Sequence, residues 1–96
     1  MQYEFEWNLD KAKQNLKKHK VSFPIAATVF LDQQRIERSD NRDDYGEDRW
    51  IVIGKIEGET CLVVVYAMRG DSIRLISARK AEKHEEDQYQ TFNGQI

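Results

Sequence analysis

From Leu62 to Ala81 the chain reads LVVVYAMRGDSIRLISARKA, two runs rich in Val, Ile and Leu separated only by Arg69, Gly70 and Asp71. A connection that short forces antiparallel pairing, because a parallel crossover needs a dozen residues or more. The same hairpin carries Tyr66, Arg69, Arg74, Arg79 and Lys80. Apolar strands have no structural need for so many cations, and guanidinium groups grip phosphate through paired donors. The pattern predicts a phosphate-bearing partner, with RNA as the first expectation.

Length bounds the rest. At 96 residues and 40% hydrophobic content, the chain supports a single domain over residues 1–96 with one core. Its one cysteine, Cys61, lies in an apolar run, so there is no disulfide framework and no ligand cluster for a structural metal. The N-terminus MQYEFEWNLDK is acidic where a secretory signal is basic, and no stretch is long enough to span a bilayer, which predicts a cytoplasmic protein without membrane contact. Net charge argues against a generic nucleic-acid binder, since 15 basic and 17 acidic residues give −2. The acids concentrate in the middle third, where residues 31–60 carry nine acids against five bases. An RNA grip here has to be a local cationic pocket with a modest salt dependence.

The order of elements is helix, helix, strands, helix, an α+β pattern. Asn8 is a good N-cap for a first helix whose stripe is Leu9, Ala12, Leu16 and His19. Ser22 caps a second helix, with Pro24 in its first turn, running through Ala27 and Phe30. A short strand is expected around Arg35 to Arg38, then a mobile polar loop, SDNRDDYGED, up to Asp48. Strands follow at Trp50 to Lys55, Thr60 to Met68 and Ser72 to Ala78, all antiparallel. The segment from Arg79 to about Gln90 is helical in composition. Only Ala81, Tyr89 and His84 are available for burial there, which predicts a loosely docked helix.

Several separated segments together resemble the BrnT family of bacterial type II toxins, small RelE-like ribonucleases. FEWNLDKAKQNLKKHKVSFPIAATVF at 5–30 is similar to the family's opening helices. Glu47, Arg49 and Gly54 match a spaced Glu-Arg-Gly element, and LVVVYAMRG followed by IRLISARKA matches the strands that end the sheet. Two departures stand out. Lys20 sits where the family usually has Gly, a helix C-cap position, and Glu85, Glu86 and Asp87 stand in a last helix that is often basic. The resemblance implies a RelE-like fold: two N-terminal helices over one face of a small antiparallel sheet of about four strands, with a C-terminal helix. The sheet's other face would cut RNA. It also implies a BrnA-like antitoxin that neutralises the toxin, the complex binding promoter DNA only through the antitoxin. Antitoxin contact is expected near the cationic rim, where carboxylates would match its charge.

Such an enzyme transfers the phosphodiester to the neighbouring 2′-hydroxyl, which requires positioning, charge stabilisation and proton transfer but no metal or other cofactor. Arg69 and Arg79, at the ends of successive strands, are the expected phosphate stabilisers. Arg49, with Glu47 two residues earlier on the same side of the pleat, is a cation paired with a candidate general base. The plainer reading of that pair is a surface salt bridge. Arg74 and Lys80 are expected to touch substrate, and Tyr66 to stack on a base or pack as half-buried core. His19 is an acid–base candidate or a packed helix residue, and His84, among acids on the last helix, is expected to be an exposed salt-bridging residue. The acidic loop lacks the spacing of a calcium loop. Two non-enzymatic readings stay open: a catalytically weak, antitoxin-binding co-repressor, and an RNA-binding module that leaves its target intact. Convergence of Glu47, Arg49, Arg69 and Arg79 in space separates them.

Overall fold

Strand alternation and short connections build a mixed five-stranded sheet in the computed structural model, which describes residues 3–42 and 44–94. The strands are β1 (Glu4–Glu6), β2 (Ile36–Ser39), β3 (Arg49–Lys55), β4 (Cys61–Arg69) and β5 (Ser72–Lys80), in the spatial order β1-β5-β4-β3-β2. From β2 to β5 the chain is an antiparallel meander, as its short connections require. The expectation of about four antiparallel strands is corrected by β1, which runs parallel to β5 with Phe5 opposite Ile73. Three residues are too few to show a period, so β1 is held by its partner strand and by Phe5 against Phe30, ring centroids 5.5 Å apart.

Asn8 starts α1 (Leu9–His19) as expected, its side chain accepting from the Lys11 N–H at 3.0 Å. The helix ends on Lys20 at φ 62, the left-handed position that favours glycine. Its buried stripe differs from the expected one. Leu9 and Leu16 are 72% and 49% exposed, while Asn15 is buried. The reason is a sheet edge. β1 pairs only with Ser72, Ile73 and Arg74, so the outer edge of β5 further along lacks a strand. There the Asn15 side chain accepts from the Ala78 N–H at 3.0 Å and donates to the Ala78 carbonyl at 2.8 Å and the Val21 carbonyl at 3.0 Å. Pairing buried backbone groups outweighs burying two leucines.

Ser22 caps α2 (Phe23–Ala27), which tightens into a 3₁₀ turn over Thr28–Leu31. Phe23, Ala26 and Val29 are fully buried against Val52, Leu62, Val64, Tyr66, Ile73, Leu75 and Ala78, forming the main core on one face of the sheet. The 3₁₀ turn approaches β3 so closely that a Cβ at Gly54 would lie 2.6 Å from Val29 Cγ2, so only glycine fits.

The third helix, α3 (Lys83–Phe92), packs on the opposite face over Ile51, Ile53, Cys61 and Val63. Loose docking was the expectation, and polar anchors overturn it. Tyr89 is buried, and its hydroxyl donates to Asp32 at 2.7 Å. Asp32 also accepts from the backbone N–H groups of Gln34 and Lys55, joining the first helical layer, the β3–β4 hairpin and α3. Glu85 accepts from the Glu82 N–H at 2.8 Å, completing a capping box.

Candidate functional site

Because α1 and α2 cover one face and α3 covers only part of the other, an uncovered area of sheet remains beside α3. Register decides which side chains reach it. Ile51 pairs with Val65 and Val65 with Ser77, while Val63 pairs with Arg79, so Ser77 and Arg79 share the α3 face with Ile51, Val63 and Val65. A regular strand would then send Arg74 to the other side, since 74 and 79 differ in parity. The pairing jumps from Val65–Ser77 to Tyr66–Leu75, leaving Ile76 as the extra residue of a β-bulge. The bulge re-aims the strand, so Arg74, opposite Ala67, faces the same side as Arg79. Arg49, also opposite Ala67, and Arg38, opposite Ile51, belong to this face. Five arginines therefore gather here when Arg42 is added from the following loop.

Beside α3, Arg38, Arg42, Ser77, Arg79 and Glu85 surround a cleft of about 130 Å³ floored by Ile51, Val63 and Val65. Arg79 donates Nη1 and Nη2 to the two oxygens of Glu85, both at 2.7 Å, and Nη1 also reaches the Lys80 carbonyl at 3.2 Å. Glu85 is buried, and the Arg79 fork together with the Glu82 N–H pulls its carboxyl down to about 2 against the cost of burial. Asp40 is buried too, and Arg42 donates Nε and Nη2 to it at 2.8 Å each. The loop expected to be mobile is thus anchored at its start. Further along, Arg49 lies over the Tyr45 ring at 4.0 Å and donates Nε to Glu47 at 3.2 Å.

The anticipated quartet of Glu47, Arg49, Arg69 and Arg79 shares one face without meeting at one point. Arg49 lies across from Ala67 and Arg79 across from Val63, four residues along β4 or about 13 Å. Arg69 is at the far end of β4, 3.9 Å from Glu6. Glu47 and Arg49 do pair, as both of their readings required. Three expected substrate contacts lie elsewhere. Tyr66 is buried in the main core, edge-on to Phe30, with its hydroxyl donating to Glu37 and its ionisation pushed up by burial. Lys80 pairs with Leu62 on the helix-covered face, and His19 ends α1 in that same layer. Arg38, Arg42, Asp40 and Glu85, which line or anchor this cleft, were not among the expected site residues: Asp40 fell in the polar loop and Glu85 was noted only as an acid in a last helix that is often basic, and no local pattern announces which arginine a buried carboxylate will hold.

Elsewhere the chemistry is sparse. A groove of about 830 Å³ between Tyr3, Phe5, Phe30, Leu31 and Met68 is lined by Glu4 and Asp71 and, among the described residues, by no cation. Glu82, His84 and Glu85 bring potential ligand atoms within 4.8 Å of one another, yet the Glu85 oxygens already serve Arg79 and the Glu82 N–H. Cys61 is buried, its thiol pushed up to about 11 by burial, which leaves it an unreactive core residue. Among the described residues no helix is long and apolar enough to cross a membrane.

Residues 7–85 match a family described as the ribonuclease toxin BrnT of type II toxin–antitoxin systems. The chain belongs to the BrnT family. Among solved structures it is similar to the 1.1 Å crystal structure of the Brucella abortus ribonuclease toxin BrnT, with a TM-score of 0.65 and 23% sequence identity over 85% of this chain and 100% of that one. At that identity the likeness speaks for the fold, an α+β arrangement shared with a BrnT. A comparison with curated proteins finds no match. Membership makes this chain a ribonuclease toxin of the type II class, whose partner class is an antitoxin and whose substrate class is RNA.

Proposed function

We propose that this BrnT-family chain cleaves RNA on the open, α3-side face of its sheet. The reaction is metal-independent transfer of the phosphodiester to the neighbouring 2′-hydroxyl. The carrying observation is the gathering of Arg38, Arg42, Arg49, Arg74 and Arg79 on one face of a chain whose net charge is −2. Charge-assisted donors fixed before substrate arrives stabilise the phosphate oxygens most as charge builds on them. In this reading Arg79 contacts the scissile phosphate, Arg49 and Arg74 hold the strand further along, and Arg69 sits at the periphery. Glu47, exposed and already beside a cation, is the general-base candidate. Two helices over one face and an open opposite face support a RelE-like reading of the fold. The toxin acts in the cytoplasm, and a BrnA-like antitoxin restrains it by bringing carboxylates to the cationic rim, carrying the complex to promoter DNA.

The test is cleavage of a labelled RNA in EDTA by the wild type and by Arg49→Ala, Arg74→Ala and Arg79→Ala, with Lys13→Ala on α1 as the control. Loss in the three arginine variants and full activity in Lys13→Ala support the assignment. Equal activity in all variants removes the site from this face. A second reading, a catalytically weak co-repressor, is favoured by one observation: Arg79 and Arg49 already spend donors on Glu85 and Glu47. Intact RNA together with tight antitoxin binding would establish it.

A further inference from the structure

Arg42 and Arg79 come from unconnected segments and line the same small cleft. Each is gripped by a buried carboxylate, and the two grips use different edges of the guanidinium. Glu85 takes the Nη1 and Nη2 end of Arg79. Of the five N–H groups, the Nε and second Nη2 hydrogens of Arg79 remain, and these form a fork along one edge. Asp40 takes the Nε and Nη2 edge of Arg42, and the same guanidinium also lies within hydrogen-bonding reach of the Tyr45 hydroxyl, so Nη1 meets no carboxylate among the described residues. The two cations are close enough to repel, Arg42 working against the charge on Arg79. An anion between them relieves that repulsion, and a fork fits phosphate oxygens in pairs. Arg38 and Ser77 complete the rim with a third cation and a hydroxyl.

We infer that Arg42 and Arg79 form a two-pronged seat for one RNA phosphate, and that the buried carboxylates Asp40 and Glu85 are its positioning residues. The inference rests on the reading that this face engages RNA, and it adds Arg42 to the contacts. Neither carboxylate touches substrate. Each fixes the direction of one guanidinium, at the cost of part of its charge. A positioning role and a charge role therefore separate. Removing Arg42 removes a phosphate contact, whereas neutralising Glu85 frees charge on Arg79 and loses its aim.

Two measurements test this on the full chain, with folding of each variant checked by circular dichroism. The first is the affinity of a short 2′-O-methyl RNA across several salt concentrations. Arg42→Ala should lower the slope of log affinity against log salt by about 0.7, one single-strand phosphate contact. The second is steady-state cleavage of the unmodified RNA by Glu85→Gln. Its kcat should fall about tenfold to a hundredfold through loss of alignment, while binding of the 2′-O-methyl RNA stays equal to wild type or tightens. An unchanged slope in Arg42→Ala, or equal losses of kcat and affinity in Glu85→Gln, overturns the seat while leaving RNA cleavage by this face standing. Wild type that neither binds nor cuts RNA overturns both.

Discussion

At Glu85 the folded chain holds a carboxyl whose ordinary value of 4.5 has dropped to about 2, chiefly through the Arg79 fork. A depressed folded value contributes stability at pH above the unfolded value and loses it as pH falls through the folded one. The contribution is therefore complete at neutral pH and disappears between pH 4.5 and about 2. Arg79 is about a third exposed, which discounts the full shift to about 2–3 kcal/mol. Urea unfolding at pH 7 and pH 3 should show Glu85→Gln less stable than wild type by that amount at pH 7, with the difference narrowing at pH 3. A difference that is the same at both pH values contradicts this account of the pair. Lys20 makes the converse case. It occupies φ 62, where glycine has no Cβ to strain, so Lys20→Gly should gain about 0.5–1 kcal/mol in the same assay. That position was anticipated from the BrnT resemblance, in which a Gly usually stands at this helix C-cap. Glu85 was not, because a carboxylate three residues into a helix looks the same whether it caps, floats or grips an arginine from another element.

Elements were legible where a local period or a short loop dictated them. The meander strands lie within one or two residues of their expected bounds, because tight turns and alternating apolar residues leave few alternatives. What failed depended on contacts between elements. β1 has three residues and exists through pairing with β5. The buried side of α1 was misjudged because Asn15 serves the backbone of Ala78 on a strand more than sixty positions away. Removing that amide in Asn15→Ala leaves a buried N–H and C=O unpaired. It should cost about 2–3 kcal/mol and speed hydrogen exchange of the Ala78 amide well beyond that of Val64 in the centre of the sheet. Protection at Ala78 equal to wild type would mean that the edge is satisfied in another way. The bulge at Ile76 was the decisive unseen feature, since parity alone sends Arg74 and Arg79 to opposite faces.

Over the whole molecule, a chain of net charge −2 gathers arginines, rather than lysines, on one face of the sheet. The lysines of α1 stay with the helical layer, while arginines from β2, β3, β5 and one loop collect on the other side of the sheet. The expectation of a local cationic pocket rather than a basic protein followed from composition alone; where the pocket lies did not. Family membership supplies the class of activity, and the arginine-bearing face is where we propose that it occurs. The most direct test of the central claim is cleavage, in EDTA, of a short RNA that the wild-type chain cuts at one position. The same RNA is then made with a single 2′-deoxy nucleotide on the 5′ side of that bond. Metal-free attack by the 2′-hydroxyl predicts a 2′,3′-cyclic phosphate end on the cut RNA and no cutting of the deoxy version. Cleavage that survives the deoxy substitution, or that stops in EDTA, would contradict it.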